Sequence, residues 1–225
     1  MLKLLEAFNY SVPKIKPYQS GKLEVIFADR YQDFVLFVDG KQQMTYNIHN
    51  HHQAYELYSQ YDIAEGHCLC SGLGFLVREN WLLTKKEVTK ITVIEKSKDV
   101  IKYQKLINPE IMAKLEVIEE DINTYKGKCD TFLIDHFEPS IDIPSYLKMC
   151  RSILDNITCS KMWIYKLEGI IASFRSPSKL NIYNTLRDKY KLNPLPDLNE
   201  ETLNLYYLMF GGSKAITVRK KYLNE

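Results

Sequence analysis

The sequence predicts an α/β protein with a mostly parallel sheet, preceded by a small β-rich part. From residue 64 onward, short apolar segments such as "HCLCS" and "KITVIE" alternate with segments whose apolar residues recur at helical spacing. Strands joined by helices favour parallel pairing with both faces of the sheet covered. Before residue 64, alternating aromatic and β-branched residues flank the turn dipeptide Asp39-Gly40, a pattern typical of antiparallel hairpins.

Length and composition limit the domain count and the class of protein. The 225 residues fit one α/β domain with a small appendage, because single cores grow to about 250 residues. We predict an N-terminal β-hairpin region with a linking helix over residues 1–63 and a larger domain over 64–225. Apolar content of 45% and charged content of 26% are ordinary for a globular protein. The absence of a recognisable signal peptide or membrane-length segment favours a cytoplasmic location.

The first half of the chain is predicted element by element from residue patterns. β-branched and aromatic alternation predicts short strands within 23–47, and apolar residues near helical spacing predict a helix over 50–63 that Asn50 caps. The apolar run 67–71 is a buried strand, and the pattern after Gly74 predicts a helix over 74–86. A strand over 90–95 and a helix capped by Ser97 follow.

The second half continues the alternation and then changes. We predict strands within 113–121 and 129–135, a helix over 143–154, a strand over 161–167 and a helix over 179–191. Two apolar segments, 202–210 and 214–222, then flank a Gly-Gly turn, so the sheet is predicted to end in an antiparallel hairpin.

Most of the cysteine and tryptophan residues are predicted to have structural roles, and the clustered histidines are not predicted to bind a metal. The five cysteines form no CxxC pair, which favours a reduced protein, and Cys68 and Cys70 lie in an apolar run that predicts burial. Trp81 and Trp163 are predicted core residues. No metal site is predicted, because the only clustered histidines have no nearby cysteine or acid to complete a ligand set; these histidines are His49, His51 and His52.

The candidate site lies where the predicted strands end. Ser71, Gly72 and Gly74 follow the first strand of the larger domain, and acids close the next three, namely Glu95, Asp121 and Asp135. In an open parallel sheet, ligands bind outside these carboxyl ends. Glycines let a ligand touch the main chain, and Glu95 has the type and spacing to accept hydrogen bonds from two ribose hydroxyls.

Neighbouring residues extend this site toward an adenosine ligand. Asp121 is placed to bond an adenine amine, Ile122 to pack against the ring, and Lys96 lies beside the ribose acid. The turn lacks the Lys-Ser/Thr pair and the third glycine of a phosphate-binding loop, since position 77 is Val. A ligand with ribose and adenine but no pyrophosphate fits better.

These residues resemble the class I S-adenosylmethionine-dependent methyltransferase fold, and most closely the spermidine synthase family of aminopropyltransferases. The likeness covers residues 23–168. The family's "DG..Q.T" segment is matched by Asp39, Gly40, Gln43 and Thr45, and its "YHE" or "YQE" segment by Tyr55-Glu56. Its "DxxD/EP" stretch is similar to Asp135-His136-Phe137-Glu138-Pro139.

The resemblance implies a displacement at a sulfonium carbon of S-adenosylmethionine or its decarboxylated form. Asp135 would deprotonate or steer the acceptor, and Glu138 would help hold it. Gln43 and Tyr55 would contact nucleoside and acceptor, and His136 is a candidate base. The implied partner is a small-molecule acceptor such as an amine. A homodimer is compatible with the resemblance, whereas the net charge of +2 provides no nucleic-acid footprint.

Two departures from the family bear on the choice between methyl transfer and aminopropyl transfer. Phe75 stands where the family carries the Asp that binds the donor's amine, and "HNHH" after Ile48 is foreign to the family. An unpaired buried cation is costly, so the first departure favours methyl transfer to an unidentified acceptor. Aminopropyl transfer to putrescine or a related polyamine, and a non-catalytic binding module, remain open.

Overall fold

A computed structural model describes residues 12–47, 52–135, 143–165, 167 and 179–201. Side chains at positions 47, 52–56, 58, 143 and 179 lie outside the description. The strands are β1 (Tyr18–Ser20), β2 (Leu23–Ala28), β3 (Asp33–Val38), β4 (Lys41–Asn47), β5 (Gly66–Ser71), β6 (Val88–Glu95), β7 (Glu116–Glu119), β8 (Gly127–Lys128), β9 (Thr131–Ile134), β10 (Ile157–Thr158) and β11 (Lys161–Ile164). The helices are α1 (His52–Ile63), α2 (Val77–Leu82), α3 (Lys98–Ile107), α4 (Pro109–Met112), α5 (Ile143–Leu154) and α6 (Lys179–Lys189).

The central sheet is parallel and has the strand order β11-β9-β5-β6-β7. If these strands are numbered by their order in the chain, the sheet reads 3-2-1-4-5 from the other edge, which is the Rossmann order. The order reverses between β5 and β9, so the crevice between their carboxyl ends is the topological switch point. The predicted α/β class and parallel sheet are confirmed.

Burial on both faces explains why the central strands read as continuous apolar runs. Residues 68–70 of β5, 132–134 of β9 and 162–164 of β11 are all at most 1% exposed. Alternation would be expected only if one face met solvent. The predicted burial of Cys68, Cys70, Trp81 and Trp163 is confirmed.

A second, antiparallel sheet contains β1 to β4 in chain order. The predicted Asp39-Gly40 turn joins β3 and β4, with φ of 54° and 70°, as a type I′ hairpin requires. The register shifts where Leu36 pairs with Met44 but Phe37 pairs with Gln42, which leaves Gln43 as the extra residue of a β-bulge.

The helix predicted over 74–86 is shorter than expected. The chain keeps positive φ at Gly72, Gly74 and Leu76, at 75°, 46° and 61°, and α2 begins only at Val77. Left-handed residues cannot belong to a right-handed helix, so the glycine turn extends to residue 76.

Other predicted elements match closely or lie outside the described residues. The Ser97 cap of α3 is confirmed, because Ser97 Oγ accepts a hydrogen bond from Val100 N at 3.3 Å. The predicted helix 143–154 is confirmed as α5. Asn50 and the terminal hairpin over 202–222 lie outside the described residues. The domain division after residue 63 stays a prediction, and none of the described helices has the length and apolarity of a membrane span.

Candidate functional site at the glycine turn

The glycine turn leaves an open space beside a carboxylate. Gly72 follows β5 with φ of +75°, and its N–H donates to Ile94 O of the neighbouring strand at 2.8 Å. Apart from its chain neighbours, and among the residues that the structure describes, a Cβ built on Gly72 would have one heavy atom within 4 Å, the Glu95 Oε2, at 4.0 Å. The turn therefore exposes main chain where a side chain at position 72 would stand, as close approach of a ligand requires.

The Glu95 carboxylate is held in place by two backbone amides. Leu73 N donates to Oε2 at 3.0 Å, and Ser97 N donates to Oε1 at 2.7 Å. Burial raises the pKa of Glu95, and the hydrogen bonds from Leu73 and Ser97 oppose that rise by favouring the anion. Each carboxylate oxygen keeps a second lone pair, so the group is oriented and still able to accept from a diol.

Asp135 meets the glycine turn across the switch point. Its backbone N–H donates to Ser71 Oγ at 2.8 Å, which joins the ends of β9 and β5. The Asp135 side chain is about one-third exposed, and its Oδ2 lies 3.9 Å from Arg78 Nη1. The structure thus brings together Ser71, Gly72 and Asp135, as the predicted strand ends require.

Arg78 is a site residue that the sequence reasoning missed. It lies in the first turn of α2 and is only 5% exposed. Its Nη2 donates to Ser71 O at 3.2 Å and Gly72 O at 2.9 Å, while Nε donates to Glu79 Oε1 at 2.8 Å. The available signal was the adjacent opposite charges inside the apolar segment "GFLVRENWLL".

The charge on Arg78 is stabilised by its neighbours despite burial. Burial is the largest single influence and lowers the pKa of Arg78, but the neighbouring groups, with Glu79 first among them and Asp135 also contributing, together outweigh it, so the net direction is upward. Glu79 is 1% exposed, and the two side chains form a buried ion pair. Beneath the turn there is therefore a fixed guanidinium that faces two carbonyls and two carboxylates.

Asp121 and its neighbours lie next to Glu95 at the following strand end. Glu120 N donates to Glu95 O at 3.3 Å, which places the ends of β6 and β7 side by side. Asp121 Oδ1 accepts from Asn123 N at 2.9 Å and from Asn123 Nδ2 at 2.7 Å. Ile122 is buried at 3% exposure, and Lys96 is exposed.

The N-terminal sheet reaches the glycine turn through β4. A Cβ on Gly74 would stand 2.7 Å from Met44 Sδ, so strand and turn are in close contact. Gln43, the bulge residue, directly precedes Met44 in the chain and so lies near the turn. Its side chain is exposed, and its Nε2 donates to Lys41 O at 3.4 Å. Its predicted contact with a nucleoside stays a prediction.

The remaining predicted site residues are placed only in part. Tyr55 belongs to α1, with its side chain outside the description, and His136 and Glu138 lie outside the described residues. Their predicted roles stay predictions. Among the described residues, no group of three or more His, Cys, Asp or Glu side chains is arranged to hold a metal ion.

No side chain of the turn itself supplies an acid. Leu73 is 2% exposed and Phe75 is fully buried. Cys70 is equally buried, and burial raises the pKa of its thiol, so it is no nucleophile. Leu73, Phe75 and Cys70 belong to the core.

Comparison with solved structures finds similarity over parts of the chain. A spermidine synthase in complex with the transition-state analogue AdoDATO is 17% identical over 65% of this chain and 55% of its own, with a TM-score of 0.43. Spermidine synthase from Thermotoga maritima is 16% identical over 66% and 53%, at 0.39. A candidate RNA methyltransferase from Pyrococcus horikoshii is 13% identical over 84% and 80%, at 0.45.

The chain spans about half the length of the two spermidine synthases. No protein-family model matches the sequence, and no curated protein does. The fold class follows from the strand order and the position of the glycine turn at its switch point. The central sheet is Rossmann-like.

Proposed function

We propose that the protein is an S-adenosylmethionine-dependent transferase that moves a methyl group to a small-molecule acceptor. The observation that carries the proposal is the Glu95 carboxylate, fixed by Leu73 N and Ser97 N beside the open space over Gly72. A buried, pre-oriented acceptor beside bare main chain fits the vicinal hydroxyls of a ribose.

The residues present fit an adenosyl sulfonium, which when bound supplies an electrophilic carbon. Glu95 accepts hydrogen bonds from the sugar, and Asp121 lies at the adjacent strand end on the base side. Asp135 holds a partly exposed carboxylate across the switch point, where it takes up a proton or orients an acceptor. Arg78 keeps that carboxylate beside the turn.

The buried turn side chains favour methyl over aminopropyl transfer. A decarboxylated donor carries an ammonium with no carboxylate of its own, so a protein anion must compensate it. Phe75 and Leu73 are both buried and apolar, and neither supplies that anion. The zwitterionic methionine of the intact donor makes no such demand.

Isothermal titration calorimetry with S-adenosylmethionine and S-adenosylhomocysteine tests the cofactor. We expect the wild type to bind both and Glu95→Gln to bind at least about tenfold more weakly, since hydrogen bonds to a charged group contribute about 1.5–3 kcal/mol each. Glu119→Gln is the matched control, because Glu119 pairs in register with Glu95 at the end of β7 but forms only an exposed ion pair with Lys98.

Each of the following outcomes contradicts the proposal or one part of it. Failure of the wild type to bind either nucleoside removes the cofactor assignment, as does wild-type affinity in a folded Glu95→Gln protein. Tighter binding of the decarboxylated donor replaces methyl transfer with aminopropyl transfer. If Asp135→Asn leaves turnover unchanged with every acceptor on which the wild type acts, Asp135 has no part in the reaction; a wild type that binds but turns over no acceptor indicates a non-catalytic module.

A further inference from the structure

Two cysteines face each other at the end of the central sheet opposite the glycine turn. β8 and β10 pair in parallel with Lys128 beside Thr158, and Cys129 and Cys159 follow directly. Cys129 N donates to Thr158 O at 3.0 Å. Beyond them, Lys161 pairs in register with Thr131. The same pairing holds on both sides of the cysteines, so Cys129 and Cys159 are cross-strand neighbours.

This placement satisfies the geometric needs of a disulfide. Neighbouring strands lie about 4.8 Å apart, and residues in register project to the same face. A disulfide requires Cα atoms about 4.4–6.8 Å apart, with Cβ atoms directed toward each other. The strand spacing lies within that Cα range, so forming the bond asks only for a local adjustment that turns two side-by-side Cβ atoms toward each other.

Exposure separates this pair from the other cysteines. Cys129 and Cys159 are both partly exposed, whereas the other three are buried and out of reach of solvent oxidants; these are Cys68, Cys70 and Cys150. An oxidant dissolved in the solvent therefore has access to two thiols that are adjacent to each other.

The two thiols also differ in acidity. A hydrogen bond from the Cys129 thiol lowers the pKa of Cys159, and the same contact raises the pKa of Cys129. The thiolate is the reactive form, so this direction favours Cys159 as the attacking sulfur and Cys129 as the resolving one. The dithiol site itself rests on the cross-strand placement of the two cysteines.

We propose that Cys129 and Cys159 form a dithiol site that a hydroperoxide oxidises to an intramolecular disulfide. The Cys159 thiolate attacks the peroxide oxygen, the O–O bond breaks, and Cys159 becomes a sulfenic acid as the hydroxide, or the alkoxide of an organic hydroperoxide, leaves and takes up a proton. Cys129 then attacks that sulfur, the S–S bond forms, and water departs with the thiol proton. One hydroperoxide is reduced, two thiols are oxidised, and a dithiol reductant reverses the change.

β9, α5 and β11 form one strand-helix-strand unit, in which Cys129 lies just before β9 and Cys159 just before β11. The bond would therefore close a loop that contains β9 and α5. The site is distinct from the glycine turn and stands independently of the proposed function.

Peroxide titration with thiol counting and peptide mapping tests the site. With equimolar hydrogen peroxide, we expect the thiols counted in denaturant to fall from five to three, the intact mass to fall by two hydrogens, and one linked peptide pair to contain Cys129 and Cys159. Cys150→Ser, which replaces a buried cysteine, is the matched control and must still form the same link.

Single serine variants separate the two roles. In Cys129→Ser we expect dimedone to trap a sulfenic acid at Cys159, and in Cys159→Ser we expect slower labelling of Cys129. The proposal is overturned if the folded wild type keeps five thiols under conditions that oxidise a free cysteine peptide. Links that join either cysteine to Cys68, or only to another chain, overturn it as well.

Discussion

A buried arginine organises the candidate site at the scale of single residues. Arg78 is 5% exposed and bonds two carbonyls of the glycine turn as well as the Glu79 carboxylate. A charge taken out of water is tolerated only where partners replace its hydration. Hydrogen bonds from Nε and Nη2 supply most of that replacement and place the end of β5, the turn and Glu79 around a single guanidinium. Nη1 has no hydrogen-bond partner among the described residues and lies 3.9 Å from Asp135 Oδ2.

Arg78→Met is expected to destabilise the protein by about 3–5 kcal/mol, because it leaves Glu79 buried without its counter-charge. Arg151→Met is the matched control: Arg151 pairs with Asp155 on the surface, and loss of such a pair costs about 0.3–0.5 kcal/mol. Urea unfolding monitored by circular dichroism measures both. Equal effects of the two substitutions would show that the buried pair contributes no more than a surface pair.

At the scale of elements, the glycine turn is shaped by its own backbone and by a strand from the other sheet. Three residues between 72 and 76 have positive φ, which delays the start of α2. Met44 of β4 fills the space beside Gly74. The β-bulge at Gln43 changes the direction of β4 at this contact, as bulges near functional sites often do.

Gly74→Ala is expected to cost more stability than Gly40→Ala. Both positions have positive φ, where a Cβ costs about 1–2 kcal/mol, but only Gly74 has Met44 Sδ at 2.7 Å from the added carbon. A Cβ added at Gly40 has no described atom within 4 Å, so Gly40→Ala measures only the cost of placing an alanine at positive φ. Chemical denaturation of both variants measures the difference.

Met44→Ala checks the cause of that difference. In this background the extra cost of Gly74→Ala should disappear, because the colliding sulfur is gone. An unchanged extra cost would mean that β4 does not pack on the turn.

At the scale of the whole molecule, a chain of hydrogen bonds links the N-terminal segment to the glycine turn. Lys14 exchanges two backbone hydrogen bonds with the Asn108 side chain, each at 2.9 Å. Asn108 Nδ2 also donates to Gln104 Oε1 at 2.9 Å, and Gln104 Nε2 donates to Gly74 O at 2.5 Å. The Asn108 and Gln104 side-chain amides are fully buried and hydrogen-bonded. They therefore fix the N-terminal segment at Lys14 relative to the glycine turn.

Asn108→Ala is expected to destabilise the protein by about 1–3 kcal/mol, since it removes the hydrogen bonds that Asn108 makes with Lys14 N, Lys14 O and Gln104 Oε1. Hydrogen exchange should quicken at residues 14–20 and at the glycine turn, and remain unchanged in β9. Asn156→Ala is the control, because Asn156 Nδ2 makes one exposed bond to Asn123 O. Unchanged exchange at residues 14–20 would contradict the link.

Much of the fold follows from local patterns in the sequence. The apolar runs of β5, β6 and β9, the Asp39-Gly40 hairpin and the Ser97 cap depend on residues within a few positions of each other. The acids that end successive strands were predictable for the same reason, because parallel strands place their carboxyl ends at one edge.

Local patterns were enough to predict most of the described elements and the acids Glu95 and Asp135 at the strand ends. The packing of Met44 on Gly74, the pairing of Cys129 with Cys159 and the position of Arg78 beneath the turn could not be predicted in this way. Propensity and periodicity act over a few residues, whereas the first two contacts join positions 30 residues apart that strand order and register bring together. Arg78 reaches Gly72 because the backbone of the glycine turn folds back over α2, and that backbone path is set by positive φ at three residues.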